Sequence, residues 1–141
     1  MGALYSTTVN AVGGRNGIAR STDGFVELRL AMPRGRGGKG GATNPEQPFA
    51  AGYAACFGHA MIHVSRNKHH KSKDGDIEAA ATVGLDAYGS GGFALTVALD
   101  VTLAGVDQAT AQALVAQAHQ DCPYSNATRG NIDVVLRVNT R

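Results

Sequence analysis

From Gly92 to Ala104 the chain runs GFALTVALDVTLA, with Leu95, Val97, Leu99, Val101 and Leu103 apolar at every second position. Successive strand side chains point to opposite faces, so this alternation predicts a strand with one buried face and one polar face. Ile77 to Ala87 precedes it through Tyr88-Gly89-Ser90-Gly91, a cluster of turn formers, and the two segments are expected to lie antiparallel. A one-sided sheet has to be covered by a second layer.

Helical periodicity supplies the cover. Phe49, Tyr53, Cys56, Phe57, Ala60, Met61 and Val64 recur at spacings of three and four, which makes one apolar face of a helix. Asn44-Pro45-Glu46-Gln47 is a start signal: Asn caps, Pro suits the first helical position, and Gln three residues after the cap can reach back. Pro48 removes a backbone donor, which offers a regular start there instead, so the boundary is open by a few residues. A second helix is expected from an Asp107 cap, with Ala111, Leu114, Val115 and Ala118 on one side, stopping near Pro123 and leaving Cys122 at its end. Ile132, Val134, Leu136 and Val138 alternate within a closing strand from Asn131 to Asn139.

The N-terminal part reads as a small meander. ALYSTTVNAV (3–12) is a strand ending in the glycine turn GGRNG (13–17), Ile18 to Thr22 returns antiparallel, and Asp23-Gly24 turns the chain into FVELRLAM (25–32). The Gly-rich stretch 33–43 is expected to be a flexible loop: its G-x-G-x-x-G match opens no helix, and Lys39 is followed by Gly where a phosphate loop has Ser or Thr. RNKHHKSKDG (66–75) is a solvated exit loop, and Asn126-Ala127-Thr128 a turn. Strands, helix, strands, helix, strand without internal repeat make an α+β fold, expected as a single domain over residues 1–141.

Thirteen basic against 11 acidic side chains leave a net charge of +2, too small and too scattered to build a nucleic-acid-binding face. No apolar run approaches the roughly 20 residues that span a bilayer, and no targeting pattern opens the chain, so a cytoplasmic location is expected. In a reducing compartment two cysteines, Cys56 and Cys122, point to catalysis, redox chemistry or metal binding before a structural staple.

For Cys56 three readings stand side by side. A thiol on an apolar helix face is among the most readily buried groups. His59 and His63 follow it at helical spacing and suggest a metal site, although two helical turns separate Cys56 from His63 by about 10 Å of rise. A reactive thiol needs a cation, and two turns inside a helix the terminus supplies little field. His59 and the permanently charged Arg15 are the candidates.

Three separated blocks, GGRNG at 13–17, TNPEQPFAAGYAACF at 43–57 and CPYSNATRGNIDV at 122–134, resemble the organic hydroperoxide resistance family of the OsmC-like superfamily, over about Leu4 to Val138. The resemblance implies an OsmC-like fold and an intertwined homodimer with active sites near the subunit interface. It further implies a cysteine peroxidase for organic or fatty-acid hydroperoxides, with Cys56 as peroxidatic and Cys122 as resolving cysteine. Arg15 and Glu46 match the activating pair. Recycling by lipoyl groups of partner proteins is implied, with no metal or flavin cofactor. Glu46 stands ten residues before Cys56, about 15 Å along a straight helix, so its fitting role is to orient Arg15. Phe49, Phe57 and Phe93 are candidates for an apolar substrate wall, and core packing explains them equally well. The chain departs from the family pattern at Pro48, where leucine is usual, and at His59 and His63, where apolar or small residues are. These departures bear on rate and substrate preference.

Overall fold

The computed structural model describes residues 2–141, which form two compact units, 2–47 and 48–141.

In the first unit, Val9–Val12 (β1), Ile18–Ser21 (β2) and Glu27–Arg29 (β3) form an antiparallel sheet in that order, Val9 opposite Ser21 and Ile18 opposite Arg29. The meander is there, with shorter strands than the residue types suggest. Residues 3–8 lie outside the sheet: past the Val9–Ser21 pair the Thr22 N–H still reaches the Thr8 carbonyl at 3.0 Å, and the Asp23-Gly24 turn then carries the chain away. The chain is still turning at Phe25 and Val26: Asp23 accepts from the Phe25 N–H at 3.0 Å and Ser21 Oγ from the Val26 N–H at 2.8 Å. The Gly-rich stretch is closed at its ends, where Thr43 accepts from the Ala31 N–H at 2.9 Å and donates its own N–H to the Arg29 carbonyl at 3.1 Å. Between those ends it carries a short 3-10 turn, Arg34–Arg36.

Helix α1 runs Glu46–Asn67. Its start is capped by Asn44, whose Oδ1 accepts the Gln47 N–H at 3.1 Å, while the Gln47 side chain accepts from the Thr43 hydroxyl. Pro48 falls in the first turn, where backbone N–H groups have no intrahelical acceptor, so its missing donor costs the helix no ladder bond.

In the second unit, Ile77–Tyr88 (β4) pairs antiparallel with Gly92–Leu103 (β5), Ile77 opposite Leu103 and Tyr88 opposite Gly92. Helix α2, Gln108–Asp121, is capped by Asp107, which accepts from the Thr110 N–H at 2.7 Å. A third helix, Pro123–Thr128 (α3), stands where the sequence suggested a turn at 126–128. Pro123 ends α2 and also starts α3, since its fixed φ suits a first helical position. The last strand, Val135–Thr140 (β6), starts later than expected, because the N–H groups of Asn131 and Ile132 are still bonded to the Thr128 carbonyl at 3.0 and 2.8 Å. It pairs parallel with β5, Ala98 opposite Val135, as a strand reached through helical crossover segments does.

The core forms as the periodicities require. Tyr53, Phe57, Ala60, Met61 and Val64 of α1 meet Val97, Leu99, Val101 and Leu103 of β5, with Ala111, Leu114, Val115 and Ala118 of α2 and Cys122 completing the cluster. Truncating a residue such as Leu99, which has no exposed surface, is expected to cost about 2–5 kcal/mol.

Candidate active site

Two groups of predicted residues are placed by the fold, one in each unit. In the first, Arg15 sits on a three-residue 3-10 turn, Gly14–Asn16, between β1 and β2. Glycine is required at its exit: a Cβ on Gly17 would stand 1.6 Å from the Val12 carbonyl oxygen. Asn16 ties the turn down by accepting the Met32 N–H through Oδ1 at 3.2 Å. From this turn the Arg15 guanidinium meets the Glu46 carboxylate side-on, Nη1 to Oε2 at 2.9 Å and Nη2 to Oε1 at 2.6 Å. The planar fork of arginine makes this two-bond geometry possible, which lysine cannot reproduce. Those bonds hold the Glu46 carboxyl below its usual range against the opposing effect of burial, and Arg36 adds a smaller pull in the same direction. The same pairing raises Arg15 further, so both partners are charged.

In the second unit the two thiols come together. Cys56 is half-buried on α1, packed against the core; Cys122 is fully buried at the joint of α2 and α3; both are free thiols. The side chain of Cys122 is a hydrogen-bonding neighbour of Cys56, and the Tyr124 backbone N–H points at the Cys56 sulfur. Burial pushes the Cys56 thiol up, the charge and hydrogen bonding of Cys122 push the same way, and the Tyr124 N–H pulls it down. On balance the Cys56 thiol is pushed above its ordinary value, which favours the protonated form.

Tyr124 also shapes the surface of α1 beside Cys56. A Cβ on Gly52, one turn before Cys56, would stand 2.5 Å from the Tyr124 hydroxyl and 3.0 Å from Cζ, so the ring rests directly on the helix backbone there. Phe49 and Tyr53 flank it, with ring centroids 6.2 and 5.5 Å from that of Tyr124. The three Phe candidates therefore fall in three different places. Phe49 joins this aromatic group, Phe57 is fully buried in the core beside the His119 ring, and Phe93 is exposed at the turn end of β5. His59 and His63 are exposed on α1, His63 sharing a hydrogen bond with Asn67 at 3.2 Å. Among the described residues no cluster of His, Cys, Asp and Glu gathers as a metal site.

Sequence reasoning missed Gly52 and Tyr124. The helical spacing from Gly52 to Cys56 and the place of Tyr124 two residues after Cys122 were visible. Their contact depends on α3, a helix too short to show in the periodicity.

Comparison with known proteins agrees with this arrangement of elements. The OsmC-like protein family matches residues 38–137. The chain is 49% identical over 134 residues to an organic hydroperoxide resistance protein of Xanthomonas axonopodis pv. citri, a match that covers 94% of this chain and 93% of that protein. The crystal structure of an organic hydroperoxide resistance protein from Legionella pneumophila superposes with a TM-score of 0.93 at 53% identity, covering 98% of this chain and 99% of that one. That of OhrB from Bacillus subtilis superposes at 0.87 with 44% identity, covering 97% and 100%. The chain thus belongs to the OsmC-like superfamily and, within it, to the organic hydroperoxide resistance family.

Proposed function

We propose that this chain is a two-cysteine peroxidase that reduces organic hydroperoxides to alcohols. The single observation that carries the reading is the pairing of Cys56 on α1 with Cys122 at the joint of α2 and α3 as free, neighbouring thiols, in a chain whose relatives are named for organic hydroperoxide resistance. The Cys56 thiolate attacks the distal oxygen of ROOH; the O–O bond breaks, the alkoxide takes up a proton and leaves as ROH, and Cys56 is oxidised to sulfenic acid. Cys122 then displaces the sulfenic hydroxyl as water, forming a disulfide. An external dithiol, a lipoyl group of a partner protein, reduces that disulfide by exchange.

The raised Cys56 thiol supports a need for activation in this reading. Burial and Cys122 favour the protonated form, so a positive charge has to be brought to the sulfur. Arg15 is our choice for that cation, with Glu46 as the group that orients it. The bidentate pair supports this role, because it leaves the guanidinium with a fixed plane and further N–H donors for a peroxide oxygen. Work in the cytoplasm as a homodimer belongs to the same reading. Steady-state consumption of tert-butyl hydroperoxide with dihydrolipoamide tests it: wild-type protein turns over, Cys56→Ser does not, and a fully active Cys56→Ser overturns the proposal.

A further inference from the structure

A buried polar chain links the three helices and has no task in the scheme above. Tyr53 of α1 and Ser125 and Thr128 of α3 are buried, and His119 of α2 is half-buried. Tyr53 Oη lies 2.8 Å from Ser125 Oγ and 3.3 Å from Thr128 Oγ1, and Ser125 Oγ lies 2.8 Å from His119 Nδ1. Thr128 Oγ1 in turn donates to the Ser125 carbonyl at 3.2 Å.

Proton bookkeeping orders these contacts. Thr128 has one hydroxyl proton and gives it to the Ser125 carbonyl, so it accepts from Tyr53. Tyr53, its proton used, accepts from the Ser125 hydroxyl, and Ser125 accepts from His119 Nδ1–H. Only this direction fills every contact, and it assigns the His119 proton to Nδ1. His119 donates through Nδ1 whether neutral or protonated, so protonation at Nε2 leaves the chain's direction unchanged.

The placement of the chain is what gives it meaning. His119 stands one turn before Cys122 and Ser125 one turn after, while Cys122 itself is the extended joint, φ −66° and ψ 125°, that ends α2 and begins α3. Tyr53 lies one turn before Cys56 on α1. The Arg129 guanidinium, just past α3, donates to the His119 carbonyl at 2.6 Å and ties the two sides of the joint from outside. The chain therefore fastens the helix carrying one thiol to both flanks of the joint carrying the other.

We propose that Tyr53, Ser125 and His119 are positioning residues for Cys122, holding the joint so that its sulfur meets the oxidised Cys56. The inference rests on the two-cysteine reading. In the step concerned the Cys122 sulfur attacks the sulfenic sulfur of Cys56, the S–O bond breaks, and the hydroxyl leaves as water with the Cys122 thiol proton. The sulfenic sulfur is reduced, the Cys122 sulfur is oxidised, and no outside oxidant enters. A disulfide tolerates only a narrow range of Cα separations, about 4.4–6.8 Å, so a joint free to swing between two helices reacts slowly. Nothing in the chain touches the Cys56 sulfur through a hydrogen bond, and the first oxidation does not depend on it.

Single-turnover kinetics with one equivalent of tert-butyl hydroperoxide separates the steps, following peroxide loss, sulfenic acid by dimedone trapping, and disulfide by intact mass. Tyr53→Phe and His119→Leu are expected to consume peroxide within about twofold of the wild-type rate, to form the disulfide about tenfold more slowly, and to accumulate the dimedone adduct. His119→Asn, which keeps an N–H donor close to the place of Nδ1, is expected to recover most of the disulfide rate. Wild-type disulfide rates in Tyr53→Phe and His119→Leu overturn the inference, as does equal slowing of both steps without recovery in His119→Asn. Should Tyr53→Phe fold poorly, the half-exposed His119 pair decides alone. A wild-type protein that forms neither adduct nor disulfide removes the peroxidase reading itself, and the inference with it.

Discussion

The Arg15–Glu46 pair and the Cys56–Cys122 pair differ in almost every physical respect. The first is ionic and lies near the surface, with side chains 32% and 15% exposed, and its arginine rides on a three-residue turn between glycines. The second is a pair of thiols set among helices, with Cys122 fully buried and Cys56 packed on the core. Charges near water keep their hydration and can be moved, whereas a thiol among apolar groups resists ionisation. A short turn with few bonds opens more readily than a packed helix. The chain thus keeps its bidentate ion pair on a short turn and its sulfurs among packed helices.

The largest expected effect falls on the sulfur side. Cys56→Ser is expected to lower peroxide consumption by about a thousandfold or more, read as kcat/KM with a dithiol present. On the charged side, Arg15→Lys keeps the charge and loses the two-bond geometry, and about a hundredfold loss is expected; activity near wild type would mean that charge alone suffices. Gly52→Ala probes the junction of α1 with Tyr124. Alanine favours a helix over glycine by about 0.5–1 kcal/mol, yet its Cβ displaces the Tyr124 ring, so activity is expected to fall about tenfold while the melting temperature holds or rises. Loss of stability together with activity would make the contact merely structural.

Acid titration sharpens the contrast further. The Arg15 hydrogen bonds depress the Glu46 pKa, so the pair adds stability that is complete above the unfolded carboxyl value of about 4.3 and is lost as pH falls through the lower folded value. Below about pH 4.3 wild-type stability is expected to drop more steeply than that of Glu46→Gln, as followed by urea denaturation. Parallel curves would contradict the coupling. The smallest effect belongs to His59→Ala and His63→Ala, exposed side chains whose removal is expected to change activity by less than about twofold.

How much of this was legible in the sequence depended on how local each signal is. The β5 alternation and the apolar face of α1 are periodic over many residues, and both appear as read. The Asp107 cap was likewise legible, being a contact within one turn. Helix α3 was not: with Pro123 at its head it looked like the end of α2, and six residues carry too little periodicity to announce a helix. Strand propensity at 3–8 outruns the sheet, whose pairing starts at Val9, and no single segment reveals where its partner ends. The parallel direction of β6 follows from the route through α2 and α3, and so was hidden with α3. At the site, the side-on Arg15–Glu46 contact joins two residues that the sequence already named together, whereas the Tyr53–Ser125–His119 chain joins residues distant in sequence or on the successive helices α2 and α3. Tyr53 was recognised for its ring alone; its hydroxyl gained meaning only through α3.

The most direct test of the central claim is the intact mass of the wild-type protein after one equivalent of an organic hydroperoxide. The account predicts a loss of about two mass units, located by peptide mapping to a Cys56–Cys122 disulfide and reversed by a dithiol. An unchanged mass with peroxide remaining, or a stable gain of oxygen on Cys56 while Cys122 stays a free thiol, would contradict it.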